Sequence, residues 1–325
     1  MKLRRRQFLR FTAAAIAASA SPRLAWAQAY PARPISLVVP WAPGGLADIT
    51  SRLLAPSLSE RLGQPLIIDN RPGAASNIGT ETVARARADG YTLLFVSNTN
   101  AINATLYEKL NFDFIRDIAP VASVTRTASV LVVNPLLPVT SVLEFIDYAR
   151  ANPGKITMAT QGSGSGGHIY GEMFKRMTGI DMVPVPYRSS GPALTDLMGG
   201  QVEVLFDTLP SSIEFIRAGK VRALAVTSTT RLDVLPDVPT VADLLPGYEA
   251  IGWAGIGAPR NTPTEIIDRL NQEINAVLDD PKITARLADL GSDVLKTSPA
   301  AFAKLVADDT GKWGNVIRAA SIKIE

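Results

Sequence analysis

Hydrophobic positions along this chain fall into short continuous runs, separated by stretches in which they recur every three or four residues. The run "ISLVVPW" (35–41) precedes such a stretch at 46–62, "PLIIDN" precedes another near 77–88, and "YTLLFVS" closes a third unit. Farther on, "SVLVVN" leads to "SVLEFIDYARAN", "KITMAT" to "GGHIYGEMFKRMTG", "DMVPVPYR" to "GPALTDLMGG" and "VEVLFDT" to "SSIEFIRAGK", with "VRALAVTS" ending the series. Short β-rich runs alternating with segments of 3.6-residue period predict parallel strands covered by helices, an α/β fold. Arg71-Pro72-Gly73 and Asn152-Pro153-Gly154 read as turns between them. Two sheets of about five strands suit the length better than one large sheet. Linker-like breaks around 120–134 and 246–262 mark two crossings between lobes, with a hinge between them.

Residues 1–27 are set apart from this pattern. "MKLRRRQFLR" carries Arg5-Arg6 before Gln7, Phe8 and Leu9, close to a twin-arginine export signal. An apolar stretch, "FTAAAIAASA", and the small-residue site Ala25-Trp26-Ala27 follow, so cleavage is expected near Ala27. The apolar stretch is too short for the ~20 residues that cross a bilayer. This leader carries six of the 33 Lys and Arg residues, which leaves 27 against 30 acidic ones. The sequence pI near 9.1 therefore belongs largely to the leader. No basic stripe remains for a nucleic acid, and that class of partner is excluded. The mature chain of 298 residues allows about two domains at ~150 residues each. Zero cysteine excludes disulfides, thiol catalysis and cysteine-ligated metals. Composition says little about assembly, and a monomer is the default.

The candidate chemistry lies in glycine turns. "PWAPGG" (40–45) places two glycines and no reactive side chain between a buried run and a helix, which exposes N–H donors suited to an anion. "GSGSGG" (162–167) matches G-x-G-x-x-G through Gly162, Gly164 and Gly167. A dinucleotide site also needs an acid at the end of the next strand, and Asp181 precedes the run "MVPVPY" instead of ending it. The turn reads better as a second anion site, with Ser163 and Ser165 at the start of a helix. A tight turn with an N-cap serine and no ligand is the plainer alternative. No G-x-S-x-G elbow is present, and His168, the single histidine, has no acidic partner assignable from sequence. One histidine, no cysteine and no clustered carboxylates give no metal site, and no cofactor is expected. Asp48, in the first turn of its helix, complements the helix dipole. Asp207 ends a strand and either faces a cleft or caps the next turn. Donor-rich loops without a reactive centre indicate capture, not conversion.

Taken together, these segments resemble the substrate-binding receptors of tripartite tricarboxylate transporters, the Bug-type receptors. The resemblance runs in order over essentially the whole mature chain. It is carried by "VVPWAPGGLADITSRLLA", with Trp41 where Phe is usual, and by "IIDNRPGAASNIGTETVARARADGYTLL". "GSGSGGH", "VPYRSSGPALTDLMGGQVEVLFDTLPS", "AGKVRALAVTSTTR" and "LPDVPTVADLLPGYEAIGWAGIGAPRNTP" complete it. It implies a two-lobed type II periplasmic-binding-protein fold, each lobe a mainly parallel sheet flanked by helices, with the ligand in the interlobe cleft. Residues 28–128 plus 253–325 would form one lobe and residues 129–252 the other. Carried over by position, ligand-binding residues are Ala42, Pro43, Gly44, Gly45 and Asp48 on the first lobe. Ser163, Ser165, Gly166 and His168 belong to the second, with Tyr187 and Asp207 nearby. The third-strand loop departs from the family pattern. It reads "SNTNAINATLY" where a Gly/Thr/Ser-rich stretch ending in His-Ala is common; Asn98, Asn100 and the missing histidine leave the contacts to the ligand's far end open and point away from a simple dicarboxylate, and Asn98 is counted with the ligand-binding residues. The implied function is a periplasmic receptor that captures a small organic carboxylate or dicarboxylate for integral membrane transporter subunits, with no chemical turnover. A periplasmic ligand sensor serving a membrane signalling partner is the alternative.

Overall fold

The structure, a computed structural model, describes residues 30–320 and 322; residues 1–27, read above as an export leader with cleavage expected near Ala27, lie outside the described residues. The chain opens with β1 (Ile35–Val39), α1 (Leu46–Leu62), β2 (Leu66–Asn70), α2 (Asn77–Ala84) and β3 (Thr92–Ser97). These strands pair in parallel in the order β2-β1-β3, because each helix carries the chain back to the end of the sheet from which the preceding strand started. α3 (Asn98–Leu106) and the single turn α4 (Phe114–Asp117) lead to β4 (Ile118–Val133). A second helical series follows: α5 (Val142–Ala151), β5 (Thr157–Thr160), α6 (Gly166–Thr178), β6 (Val183–Pro186), α7 (Ser190–Met198), β7 (Val204–Thr208), α8 (Leu209–Arg217) and β8 (Arg222–Val226). Here β6 and β7 flank β5 in parallel. The chain ends with β9 (Ile251–Pro259), α9 (Thr264–Leu278), α10 (Pro281–Asp289), β10 (Ser292–Val294) and α11 (Pro299–Ala320). Among the described residues, no helix is long and apolar enough to cross a membrane.

The stretch around 120–134, expected as a linker, is the strand that joins the two sheets. At 16 residues β4 is ~50 Å long. Its first part pairs antiparallel with β9 and β10, through Ile118–Ala128 and Thr125–Thr127. From Ser129 onward it pairs with β7 and β8. Pro120 sits at a register shift against β9, where a missing N–H disturbs the ladder least. The second expected linker contains β9, which inserts antiparallel between β3 and β4. The sheets are therefore mixed. Strands joined by helical crossovers run parallel, whereas β4 and β9 arrive from the other sheet and run against their neighbours.

The segment "SNTNAINATLY", read as a loop, forms α3. Its apolar pattern is weak, but the Asn100 carboxamide accepts from the Ser97 N–H at 2.9 Å and closes a capping box. Asn100 also donates to Thr80 Oγ1 at 2.8 Å, which ties α3 to α2.

Each sheet has its own apolar core. Leu37, Phe95, Leu54 and Ile274 pack on one, and Phe145, Phe174 and Phe206 on the other. α11 serves both: Phe302 packs with Trp253 and Leu94 of the first sheet, while Trp313 and Ile317 join the aromatic cluster of the second. The Phe302 ring meets Trp253 edge-on at 5.4 Å and is fully buried. Phe302→Ala is expected to lower the unfolding free energy by about 3–5 kcal/mol, as core Phe truncations do, measured by urea denaturation. A loss under about 1 kcal/mol would show that α11 is not integral to the first core.

Candidate functional site

A cavity of about 70 Å³ lies between the sheets and is lined from both. At ~10–15 Å³ per water site, it has room for roughly five to seven waters, the scale of a small molecule. Its walls are the beginnings of helices: Gly45–Ala47 at α1, Asn98 and Thr99 at α3, Gly166 and Gly167 at α6, Ser190 at α7, and Thr208, the N-cap of α8. Trp41, Phe95 and Tyr170 supply aromatic surface. None of the lining side chains is charged. Five helix N-termini thus converge on one small volume, each carrying the positive end of its dipole and N–H groups without intrahelical partners. Gly45, Ser189 and Thr208 make no side-chain cap to their helices. Those first-turn donors are not used up by their own N-caps. Among the described residues, no group of three His, Asp or Glu stands where a metal would be held.

Two glycine turns shape the walls. In the first, Gly44 has φ +89°, a conformation that L side chains resist. Its N–H donates to Asp48 Oδ2 at 3.2 Å, while Asp48 Oδ1 accepts from Arg52 Nε at 2.9 Å and Asn70 Nδ2 at 3.1 Å. Burial pushes the Asp48 carboxyl upward, but these hydrogen bonds outweigh it and hold the group below the usual range. Asp48 thus fixes the turn from behind. The turn also touches the opposite sheet, since the Ala42 N–H donates to the Arg188 carbonyl at 3.4 Å and Ser189 Oγ lies 3.5 Å from the Pro43 carbonyl.

The second turn is built similarly. Gly164, at φ +92°, donates its N–H to His168 Nδ1 at 3.0 Å. Ser165 Oγ caps α6 by accepting from the His168 N–H at 3.3 Å. The Ser163 carbonyl accepts from Tyr107 Oη at 2.6 Å, a bond from α3's end to the opposite sheet. Burial pushes His168 below its ordinary pKa, against a smaller upward pull from Glu172, so the imidazole is neutral and its Nδ1 accepts. Asp207 is wholly buried and accepts from Ser190 Oγ at 2.5 Å, Ser212 Oγ at 2.6 Å and Gln161 Nε2 at 2.9 Å. Burial raises its carboxyl despite these bonds. Asp207 therefore ties together α7, α8 and the end of β5. Tyr187 Oη donates to Asp196 at 2.7 Å, and burial together with that partner pushes the phenol up to about 12.

Of the residues singled out from sequence, Gly45, Asn98, Ser165 and Gly166 line the cavity. Ala42, Pro43, Gly44, Asp48, Ser163, His168, Tyr187 and Asp207 are not among its lining residues. Asp48, His168 and Asp207 instead hold the turns and helix starts that are. Ser189, Ser190, Thr208 and Tyr170 line the cavity without having been singled out. The first two carry the signal of the glycine turns, small polar residues opening a helix. Tyr170 stands one helical turn after Gly166 and so shares its face, a signal that reads equally as core packing.

The family model for the tripartite tricarboxylate transporter family receptor matches residues 50–322. Among solved structures, R. palustris Rpa4515, a structure with adipate, has a TM-score of 0.88 at 39% identity, covering 90% of this chain and 99% of that one. The periplasmic binding protein BugD has a TM-score of 0.88 at 33% identity, covering 91% of this chain and 100% of BugD. MatC from Rhodopseudomonas palustris, with bound malate, has a TM-score of 0.86 at 32% identity, covering 89% and 100%. The α/β architecture, the glycine turns that open helices on a shared cavity, and these matches agree: the chain belongs to the receptor family of tripartite tricarboxylate transporters and has the periplasmic-binding-protein fold.

Proposed function

We propose that this protein is a periplasmic receptor that captures a small carboxylate-bearing molecule and delivers it to integral membrane transporter subunits without chemical turnover. The observation that carries this reading is the convergence of five helix N-termini on a cavity with no charged side chain. Each N-terminus contributes up to ~2 kcal/mol toward an anion when partly buried. A dipole-lined cavity also avoids burying an unpaired counter-charge before the ligand arrives. Adipate and malate, present in the structures of two relatives, are both carboxylates.

Gly45 brings an N–H donor to the carboxylate, while Ser165 and Gly166 present the start of α6, where the Ser165 N–H donates to the Gly162 carbonyl at 3.0 Å and the Gly166 N–H to Thr99 Oγ1 at 3.3 Å; Asn98 meets the rest of the ligand. Asp48, His168 and Asp207 hold the donors in place, while Ala42, Pro43, Gly44, Ser163 and Tyr187 shape the surrounding turns. Lobes of residues 28–128 plus 253–325 and of 129–252 close over the ligand, a division supported by the change of β4 partners at Ser129. Ligand contacts with both lobes shift the population toward the closed form, which the transporter then recognises. The chain acts as a monomer after export and removal of the leader near Ala27.

A thermal-shift screen of refolded residues 28–325 against C4–C6 dicarboxylates, citrate, acidic amino acids and aromatic acids tests the capture. A ligand at 100 times its Kd adds ~2.7 kcal/mol to stability, a visible rise in Tm. Silence across the panel from folded, ligand-free protein would overturn the carboxylate reading. Gly166→Val and Gly45→Val each place a side chain in the cavity. Both are expected to weaken binding at least ~100-fold, equivalent to about 2.7 kcal/mol, with Tm near wild type; unchanged affinity contradicts the site.

The role given to His168 sets a pH dependence. Its folded pKa is depressed, so the unfolded chain takes up the proton first. The stabilisation from neutral His168 is complete above about pH 6.5 and is lost as pH falls below that value. His168→Leu leaves the Gly164 N–H without its acceptor, at a cost of about 1–3 kcal/mol at pH 7.5. The Tm gap between wild type and variant should narrow between pH 7.5 and 5.5; a gap constant over that range contradicts the assignment.

A further inference from the structure

Asn98, at the start of α3, and Tyr170, in the second turn of α6, belong to helices on opposite sides of the cavity, and both line it. Asn98 Nδ2 and Tyr170 Oη lie 2.6 Å apart, so no ligand atom passes between them. Two glycines flank the pair. A Cβ at Gly166 would stand 3.4 Å from both Asn98 Nδ2 and Tyr170 Oη, and one at Gly252 would stand 3.1 Å from Asn98 Oδ1. The contact is therefore a partition made of side chains, unlike the backbone-built walls at the other helix starts.

This partition is braced from behind. Tyr170 is 2% exposed. Its ring packs on Trp313 of α11 with centroids 5.4 Å apart, and its carbonyl accepts from Tyr248 Oη at 3.0 Å. Trp313 and Tyr248 are themselves fully buried. A close-packed support of this kind does not yield to an extra methylene without strain.

We propose that Tyr170, held across the cavity by Asn98, is a specificity-determining residue that limits the length of the carboxylate this receptor accepts. The proposal rests on the capture reading above and names its substrate class: short-chain carboxylates, anchored where the starts of α1 and α7 meet at Gly45 and Ser190 and stopped by the Tyr170–Asn98 partition beside Gly166. Longer homologues are rejected by the partition and not by loss of their anchoring charge.

The test is a calorimetric titration of the mature chain with the linear dicarboxylates from succinate (four carbons) to suberate (eight carbons). Wild type is expected to bind adipate at least tenfold more tightly than suberate. Tyr170→Leu and Asn98→Ala open the partition from opposite sides, and each should reduce that ratio below threefold, whatever the change in absolute affinity. Asn98 belongs to none of the apolar clusters, and Asn98→Ala leaves the Trp313 and Tyr248 support of Tyr170 in place, so the test survives a failure of Tyr170→Leu to fold. Equal binding of adipate and suberate by wild type, or a ratio unchanged in the folded truncations, overturns the length limit while leaving capture intact. Failure of the folded wild type to bind any member overturns the short-chain class, and the capture reading falls with it when citrate, acidic amino acids and aromatic acids give no thermal shift either.

Discussion

A cavity without charged side chains favours an anion only if fixed dipoles replace the water that the anion leaves. That constraint accounts for the positions of the polar groups around this cavity. Five helices must begin at one place, and each beginning needs its own support, because helix starts are loop structures with little packing of their own. Asp48 supports the first glycine turn, His168 the second, and Asp207 the starts of α7 and α8. All three are buried, and none lines the cavity. Their ionisation states follow from that work. The hydrogen bonds to Asp48 keep it charged, burial keeps His168 neutral, and Asp207 is held between burial, which raises its carboxyl, and donors that lower it.

Bringing five helix starts together requires two sheets whose strand ends face one another, and β4 and α11 supply the link. β4 changes partners part-way along without a break, and α11 packs on both cores. The connection between the sheets is thus a strand and a helix, not a flexible tether. Hydrogen bonds from Asn98, Tyr107 and Ala42 then close the opposite side across the cavity.

The helical crossovers were legible in the sequence because each pairs an apolar run with a 3.6-period stretch. The glycine turns were legible too, since only small residues permit close approach at a helix start. What escaped were elements whose sequence signal belongs to other structures. β4 contains Pro120 and a Ser/Thr-rich stretch, and β9 contains three glycines, so both resemble linkers until their pairing partners, distant in sequence, are known. α3 has asparagines where an amphipathic helix would show apolar positions, because Asn100 and Asn103 bond across to α2 and the turn before it. Asp48, His168 and Asp207 were noticed as chemical groups, but sequence does not say whether a polar side chain faces a cavity or the back of its wall. Tyr170 was hidden for the opposite reason: an aromatic in mid-helix reads as core, and it is core on one side and cavity wall on the other.

The claim at the centre of this account is that backbone N–H groups at helix starts hold the carboxylate. Amide NMR of ¹⁵N-labelled mature chain, titrated to saturation with adipate or malate, addresses those groups directly. The account predicts downfield proton shifts at Gly45–Ala47, Gly166, Gly167 and Ser190, larger than those elsewhere in the chain. Saturation with these amides unmoved, and the large shifts confined to other segments, would contradict it.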